Sequence, residues 1–127
     1  MKLLIADDSI HIRQLLKEAL RDGNGIETID ESQDVPGTIE SIKKNRPDVV
    51  ILDLQMPGGN GLDVLKSLKA APRKPIVIVY TNFPYQEYEL ASLKAGAEYF
   101  FDKSLEQGEM LALVSDLSSR QEDIAPD

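Results

Sequence analysis

The run Val49-Val50-Ile51-Leu52 ends on Asp53 and gives way at once to Leu54-Gln55-Met56-Pro57-Gly58-Gly59-Asn60-Gly61. A short apolar run rich in β-branched side chains, closed by a Gly/Pro/Asn loop, reads as a strand buried on both faces. Strands of that kind belong to parallel sheets. Two more runs repeat the pattern: Leu3-Leu4-Ile5-Ala6 closes on Asp7-Asp8, and Ile76-Val77-Ile78-Val79 closes on Tyr80-Thr81. Open parallel sheets carry their sites just beyond the carboxyl ends of the strands. Asp53 therefore stands where the chemistry of such a fold is expected.

Helical patterns lie between the runs. After Ser9, the residues Ile12, Leu15, Leu16, Ala19 and Leu20 form one stripe, stopped by Gly23 and Gly25. Ile26 to Asp30 alternates apolar with polar, as a more exposed strand does. Val35, Ile39 and Ile42 fall at helical spacing before Pro47, and Leu62, Leu65 and Leu68 mark a third helix before Pro72. A helix from about Tyr85 to Ala95 is followed by Gly96, and Glu98 to Phe101 reads as an aromatic strand ahead of Asp102-Lys103. Ser104-Leu105-Glu106-Gln107 has the form of a capping box, and Met110, Leu113, Val114 and Leu117 share the face of a last helix.

Strand–helix alternation of this kind predicts an α/β fold, a doubly wound five-stranded parallel sheet with right-handed crossovers. The strands starting at Leu3, Val49 and Ile76 belong in its middle, and the one at Ile26 at an edge. A chain of 127 residues holds one domain, here residues 1–117, with 118–127 read as a polar, frayed tail.

Charge and composition narrow the function. A net charge of -8 argues against nucleic acid as a direct partner, because phosphate backbones need a basic face. The sequence shows no apolar stretch of membrane-spanning length, no secretory leader and no cysteine, so a cytoplasmic protein with no membrane association and no disulfides is expected. His11 is the only histidine and forms no His-based metal site by itself.

On a parallel sheet the residues ending each buried strand project from one edge. Asp7, Asp8, Asp53, Thr81 and Lys103 are brought together there. Carboxylates crowded into one space repel, and a hard divalent cation such as Mg²⁺ relieves them. An ammonium and a hydroxyl beside that cation suit a transferring phosphoryl group. Each residue alone has an ordinary reading: Asp53 as a turn cap, Asp8 or Ser9 as a helix cap, Lys103 as a surface lysine, Thr81 as a strand end. Their convergence on one edge is what points to chemistry.

These residues resemble the receiver domain of two-component response regulators, of the chemotaxis single-domain type. The likeness runs from about Lys2 to about Leu117. It is carried by Asp7-Asp8, by Asp53 with Met56-Pro57 and Gly61, by Thr81, by Ala95-Gly96-Ala97 and by Lys103. The resemblance implies a flavodoxin-like sheet with strand order 2-1-3-4-5. It implies that Asp53 accepts a phosphoryl group from a histidine kinase or histidine phosphotransfer protein. Mg²⁺ would be held by Asp8, Asp53 and the Gln55 carbonyl, with Asp7 acting through water, while Thr81 and Lys103 bind phosphoryl oxygens. Thr81 and the aromatic Phe100 would form a switch altering the face of the fourth helix, fifth strand and fifth helix, where an unknown downstream protein docks. Activity beyond self-phosphorylation and slow self-dephosphorylation is not expected, and with no output region following, signalling by protein contact is.

The chain departs from that family in three places. Ser104 follows Lys103 where proline is usual, and Asn82 follows Thr81 where a small residue is usual. Phe83 is also large, and shielding of Asp53 from water by Phe83 predicts slow loss of the phosphoryl group. Rival readings are weaker. An aspartyl phosphatase needs a second acid where Gln55 stands, and no phosphate-binding glycine loop follows any strand. A flavin phosphate would be repelled by Asp7-Asp8. The alternative kept is a receiver-like interaction module that does not use phosphorylation, separable by its Mg²⁺ affinity.

Overall fold

A computed structural model describes residues 1–23 and 25–123. Strands and helices alternate in the order β1 (Lys2–Ala6), α1 (Ile10–Leu20), β2 (Thr28–Ser32), α2 (Val35–Asn45), β3 (Val49–Leu52), α3 (Gly61–Ser67), β4 (Ile76–Thr81), α4 (Gln86–Lys94), β5 (Tyr99–Asp102) and α5 (Gln107–Asp123). The strands form one 5-stranded sheet of order β2-β1-β3-β4-β5, all neighbours parallel. The doubly wound, flavodoxin-like expectation holds, with the three apolar runs in the centre and β2 at an edge.

Period-two alternation divides the core. Leu4, Ala6, Val50, Leu52, Val77 and Val79 face one side, where α2, α3 and α4 contribute Val35, Ile42, Val64 and Leu65, with Tyr88 packed against them. Leu3, Ile5, Val49, Ile51, Ile78 and Tyr80 face the other, under Leu16 and Leu20 of α1 and Met110, Val114 and Leu117 of α5. The buried strands have no polar side, as expected for strands covered on both faces.

Several element boundaries differ from the sequence reading. β2 begins at Thr28 because β1 begins at Lys2, its register partner; Ile26 lies ahead of the ladder, and the Glu27 N–H bonds to the Met1 carbonyl. Ser9 caps α1, but only Leu16 and Leu20 of its stripe are fully buried, and Leu15 is 42% exposed. The capping box read at Ser104 does not form, and two other bonds take its place. Asp102 accepts the Ser104 N–H, and the Glu106 carboxylate accepts the Asp102 N–H, so an acid at each end outcompetes the serine hydroxyl.

α5 also continues through Asp123, so the boundary drawn at Leu117 falls inside a helix. Ser118 is buried, and its hydroxyl donates to the Ser115 carbonyl at 2.9 Å, which lets a polar residue remain helical. The Ala125-Pro126-Asp127 terminus, for which fraying is expected from the sequence, lies outside the described residues.

Candidate functional site

The sheet fixes the backbone of the site before any side chain is considered. Beyond the last residues of the strands, ladder bonds continue: Asp7 N–H to the Ser32 carbonyl, Asp53 N–H to Ala6, and Lys103 N–H to Thr81. Parity then sorts the side chains. Ile5, Ile51 and Phe101 face the α1/α5 side, and Asp7, Asp53 and Lys103 stand two residues further on. They meet: Lys103 Nζ lies 2.6 Å from Asp7 Oδ2 and 3.1 Å from Asp53 Oδ2, with all three side chains at most 7% exposed.

Local turns orient the acids. Asp7 accepts the Ser9 N–H at 2.9 Å, while Ser9 itself caps α1 by accepting from Ile12. Asp53 accepts the Gln55 N–H at 3.1 Å. Gly61 opens α3 against the end of β3, where a Cβ would lie 2.7 Å from Leu54 Cα and 2.8 Å from the Asp53 carbonyl oxygen. Asn60 caps the same helix, and Asp63 returns a bond to the Asn60 N–H. Gly58 has φ of +85° with the Pro36 ring pressed against it, which fixes the loop in a form that other residues adopt only under strain.

Among the described residues, Asp7, Asp8 and Asp53 form a group in which one carboxylate oxygen from each lies within 4.8 Å of the others. Asp8 is exposed and the other two are buried. Donors that are all oxygen, open to solvent on the Asp8 side, suit a hard divalent cation that keeps some of its waters. The ammonium of Lys103 supplies the positive charge between Asp7 and Asp53.

Titration reflects that crowding. Burial pushes the Asp53 carboxyl above its ordinary range; the positive charge of Lys103 opposes this without cancelling it, and the nearby Asp7 adds to it. For Lys103, burial pulls toward the neutral amine, but the hydrogen bond to Asp7 and the charges of Asp53 and Asp7 together outweigh it. The lysine is held more firmly protonated than usual.

Thr81 is fully buried at the same edge, but with the opposite parity. Its hydroxyl accepts the Phe83 N–H at 3.1 Å. Phe100 pairs in register with Val79 and packs against the α4 side of the core. Thr81 and Phe100 therefore share the sheet face covered by α4, away from Tyr99 and Phe101. Phe83 is 39% exposed and leans on Tyr85, with ring centroids 6.4 Å apart, and Tyr85 continues to Tyr88 at 6.0 Å. The Lys103–Ser104 peptide is trans.

Two contributors were missed in the sequence. Arg13 donates from Nη1 to the Asp7 carbonyl at 2.7 Å and from Nε to Glu31 at 3.0 Å, tying the Asp7 turn to β2. Its place one turn beyond Ser9 was a usable signal. Tyr80 sits beneath Lys103, with Nζ 5.9 Å from the ring centroid. Strand parity would have found it.

Comparison with known proteins agrees with this fold. The family model described as the response regulator receiver domain matches residues 3–115. The chain is 27% identical over 114 residues to the chemotaxis protein CheY of Bacillus subtilis, covering 90% of this chain and 94% of that protein. It is 34% identical over 104 residues to a protein-glutamate methylesterase/protein-glutamine glutaminase of Myxococcus xanthus, covering 81% of this chain and 30% of that protein. Across the first methylesterase relatives it spans between 22% and 35% of their length. Among solved structures, a Francisella response regulator receiver domain superposes with a TM-score of 0.81 at 29% identity, covering 94% of this chain and 98% of that one.

Proposed function

The chain belongs to the response regulator receiver domain family, and on that premise we propose that it is a phosphoryl-accepting switch with Asp53 as the acceptor. The observation that carries this reading is the buried Lys103 ammonium held between Asp7 at 2.6 Å and Asp53 at 3.1 Å. In the transfer, an Asp53 carboxylate oxygen attacks the phosphorus of a phosphohistidine on a kinase or phosphotransfer protein. The O–P bond forms as the P–N bond breaks, and the electron pair leaves on the imidazole nitrogen, which takes up a proton. Lys103 and the Thr81 hydroxyl hold phosphoryl oxygens whose charge would otherwise be unmet.

Asp7, Asp8, Asp53 and the Gln55 carbonyl are the groups that would hold Mg²⁺, and three carboxylates with oxygens within 4.8 Å support that assignment. When bound, the cation supplies charge neutralisation for an anionic donor meeting an anionic acceptor. Asp53 is the nucleophile, Lys103 and Thr81 the phosphoryl ligands, and no further catalysis is assigned. The methylesterase activity named for some relatives belongs to those proteins.

Output follows from the shared face of Thr81 and Phe100. A phosphoryl group that draws the Thr81 hydroxyl away from Phe83 frees space on the α4 side, and Phe100 follows it inward. The exposed apolar residues Tyr85, Leu90 and Leu93 around α4 and Leu105 ahead of α5 offer contact area to a downstream protein on the α4–β5–α5 face. Among the described residues no helix is long and apolar enough to cross a membrane. The net charge of -8 supports a signalling protein without direct contact to nucleic acid.

An amide NMR titration tests the proposal. Adding Mg²⁺ and then beryllofluoride, which mimics the aspartyl phosphate, should shift Asp7, Asp8, Asp53, Thr81 and Lys103 first and Phe100 and α5 with them. The Asp53→Asn variant should show no beryllofluoride response. A spectrum unmoved by both additions overturns the proposal in favour of an interaction module that works without phosphorylation.

A further inference from the structure

One aromatic ring in the site has no part in the scheme above. Tyr80 is the penultimate residue of β4, pairs in register with Phe101, and is 2% exposed. Its parity sends it to the α1/α5 face, the same face as Lys103. Lys103 Nζ lies 5.9 Å from the ring centroid while it bonds Asp7 and Asp53. The ammonium thus rests on one uncharged support and two charged ones.

We propose that Tyr80 is a positioning residue whose ring keeps the Lys103 ammonium aimed at the acceptor as the charge at Asp53 changes. This rests on the reading of Asp53 as phosphoryl acceptor. A lysine stem is flexible and its ammonium is a point charge without preferred direction. In the unmodified protein two carboxylates fix it. Once Asp53 carries the phosphoryl group as an acyl phosphate, the carboxylate that held the ammonium is gone and the negative charge lies further out, on the phosphoryl oxygens. The π face neither titrates away nor leaves with the reaction. Before transfer the two carboxylates dominate and the ring adds little; after transfer its share of the hold on the ammonium grows, and in a desolvated site such a contact is strong enough to matter. Burial raises the Tyr80 hydroxyl above its ordinary range, so the ring also stays neutral beside the acids.

The alternative is that Tyr80 only fills space in the core beneath α1 and α5. A series at position 80 separates the two, with Tyr80→Phe first and then phenylalanine rings carrying more fluorine. Fluorination drains the negative face of the ring while nearly preserving its shape. The 127-residue chain with saturating Mg²⁺ is titrated with beryllofluoride. The Phe variant should bind within about twofold of the parent, and affinity should fall stepwise with fluorine, by about tenfold across the series. Urea unfolding midpoints should stay flat over the same series, which a packing role would not combine with falling affinity. Beryllofluoride affinity independent of fluorination, in a parent that binds it, overturns the role of Tyr80 alone. A parent that binds no beryllofluoride overturns Asp53 as acceptor and this inference with it.

Discussion

Lys103 and Asp7 form an ion pair at 2.6 Å with side chains only 7% and 4% exposed, and Asp53 shares the same ammonium. A buried pair of this kind adds little over an apolar filling, but removing one partner leaves the other charge uncompensated. Lys103→Met should therefore destabilise the metal-free protein by about 3 kcal/mol. Added Mg²⁺ should restore more stability to this variant than to the parent, because the acids then have no other cation. Urea unfolding with and without Mg²⁺ reads both effects. Equal stability of variant and parent without metal would refute the account of the pair.

Asp53 gives a dependence on pH. Its carboxyl is raised from an ordinary value of 3.8 chiefly by burial, so the folded chain holds this proton more tightly than the unfolded chain does. The contribution is complete below the ordinary value and is lost as pH rises through the folded one, so at neutral pH the ionised acid is a burden on the fold. Asp53→Asn should be more stable than the parent at pH 7, by on the order of 1 kcal/mol. The gap should narrow as the pH is lowered toward 4. Unfolding midpoints for both proteins across that range decide the matter, and a gap that widens on acidification contradicts it.

Most of the fold was legible because its signals are local. Runs such as Val49–Leu52 cannot be half-exposed strands, and Pro47, Gly96 and the Pro57–Gly61 loop end elements through fixed dihedral preferences. The convergence of Asp7, Asp53 and Lys103 was legible too, since strand ends on a parallel sheet share an edge. What stayed hidden depends on register or on competition. Ile26 looks like strand, but β1 offers it no partner before Thr28. Leu15 fits the helical stripe yet faces solvent, and Ser118 looks like a tail yet bonds inside a helix. Arg13 reaches the Asp7 carbonyl across a turn, a contact that periodicity does not encode.

Phe83 bears on the lifetime of the modified state. It lies two residues after Thr81 in the loop leading to α4, donates its N–H to the Thr81 hydroxyl, and packs its ring at a tilt against Tyr85, centroids 6.4 Å apart. Asp53 is already almost fully buried, and the loop carrying Phe83 leaves β4, the strand beside β3, so it borders one side of the rim above Asp53. Phe83→Ala should open the rim and speed loss of the phosphoryl group several-fold, while leaving Mg²⁺ affinity unchanged. Dephosphorylation followed after a pulse of small phosphodonor measures it, and an unchanged half-life would count against shielding by Phe83.

Gly61 couples stability to the site through sterics alone. Its φ is not in the left-handed region, so backbone strain is not the issue; a methyl group there would meet Leu54 Cα at 2.7 Å and the Asp53 carbonyl oxygen at 2.8 Å. Both are backbone atoms at the end of a central strand and cannot swing aside as a side chain would. Either the start of α3 moves outward or Asp53 moves with its strand end. Gly61→Ala should cost about 1–3 kcal/mol as an overpacking substitution. It should also weaken Mg²⁺ binding, because both contacted atoms lie within the turn in which Asp53 accepts the Gln55 N–H. Gly108 provides the control. It lies in the first turn of α5 with nothing within 4 Å of a built Cβ. Gly108→Ala should stabilise by up to about 1 kcal/mol through helix propensity and leave Mg²⁺ binding alone. Opposite signs from the same chemical change, with metal affinity moving only for Gly61, would tie the effect to the contact with Asp53. Matching signs would mean that the close approach at Gly61 relaxes without disturbing the site.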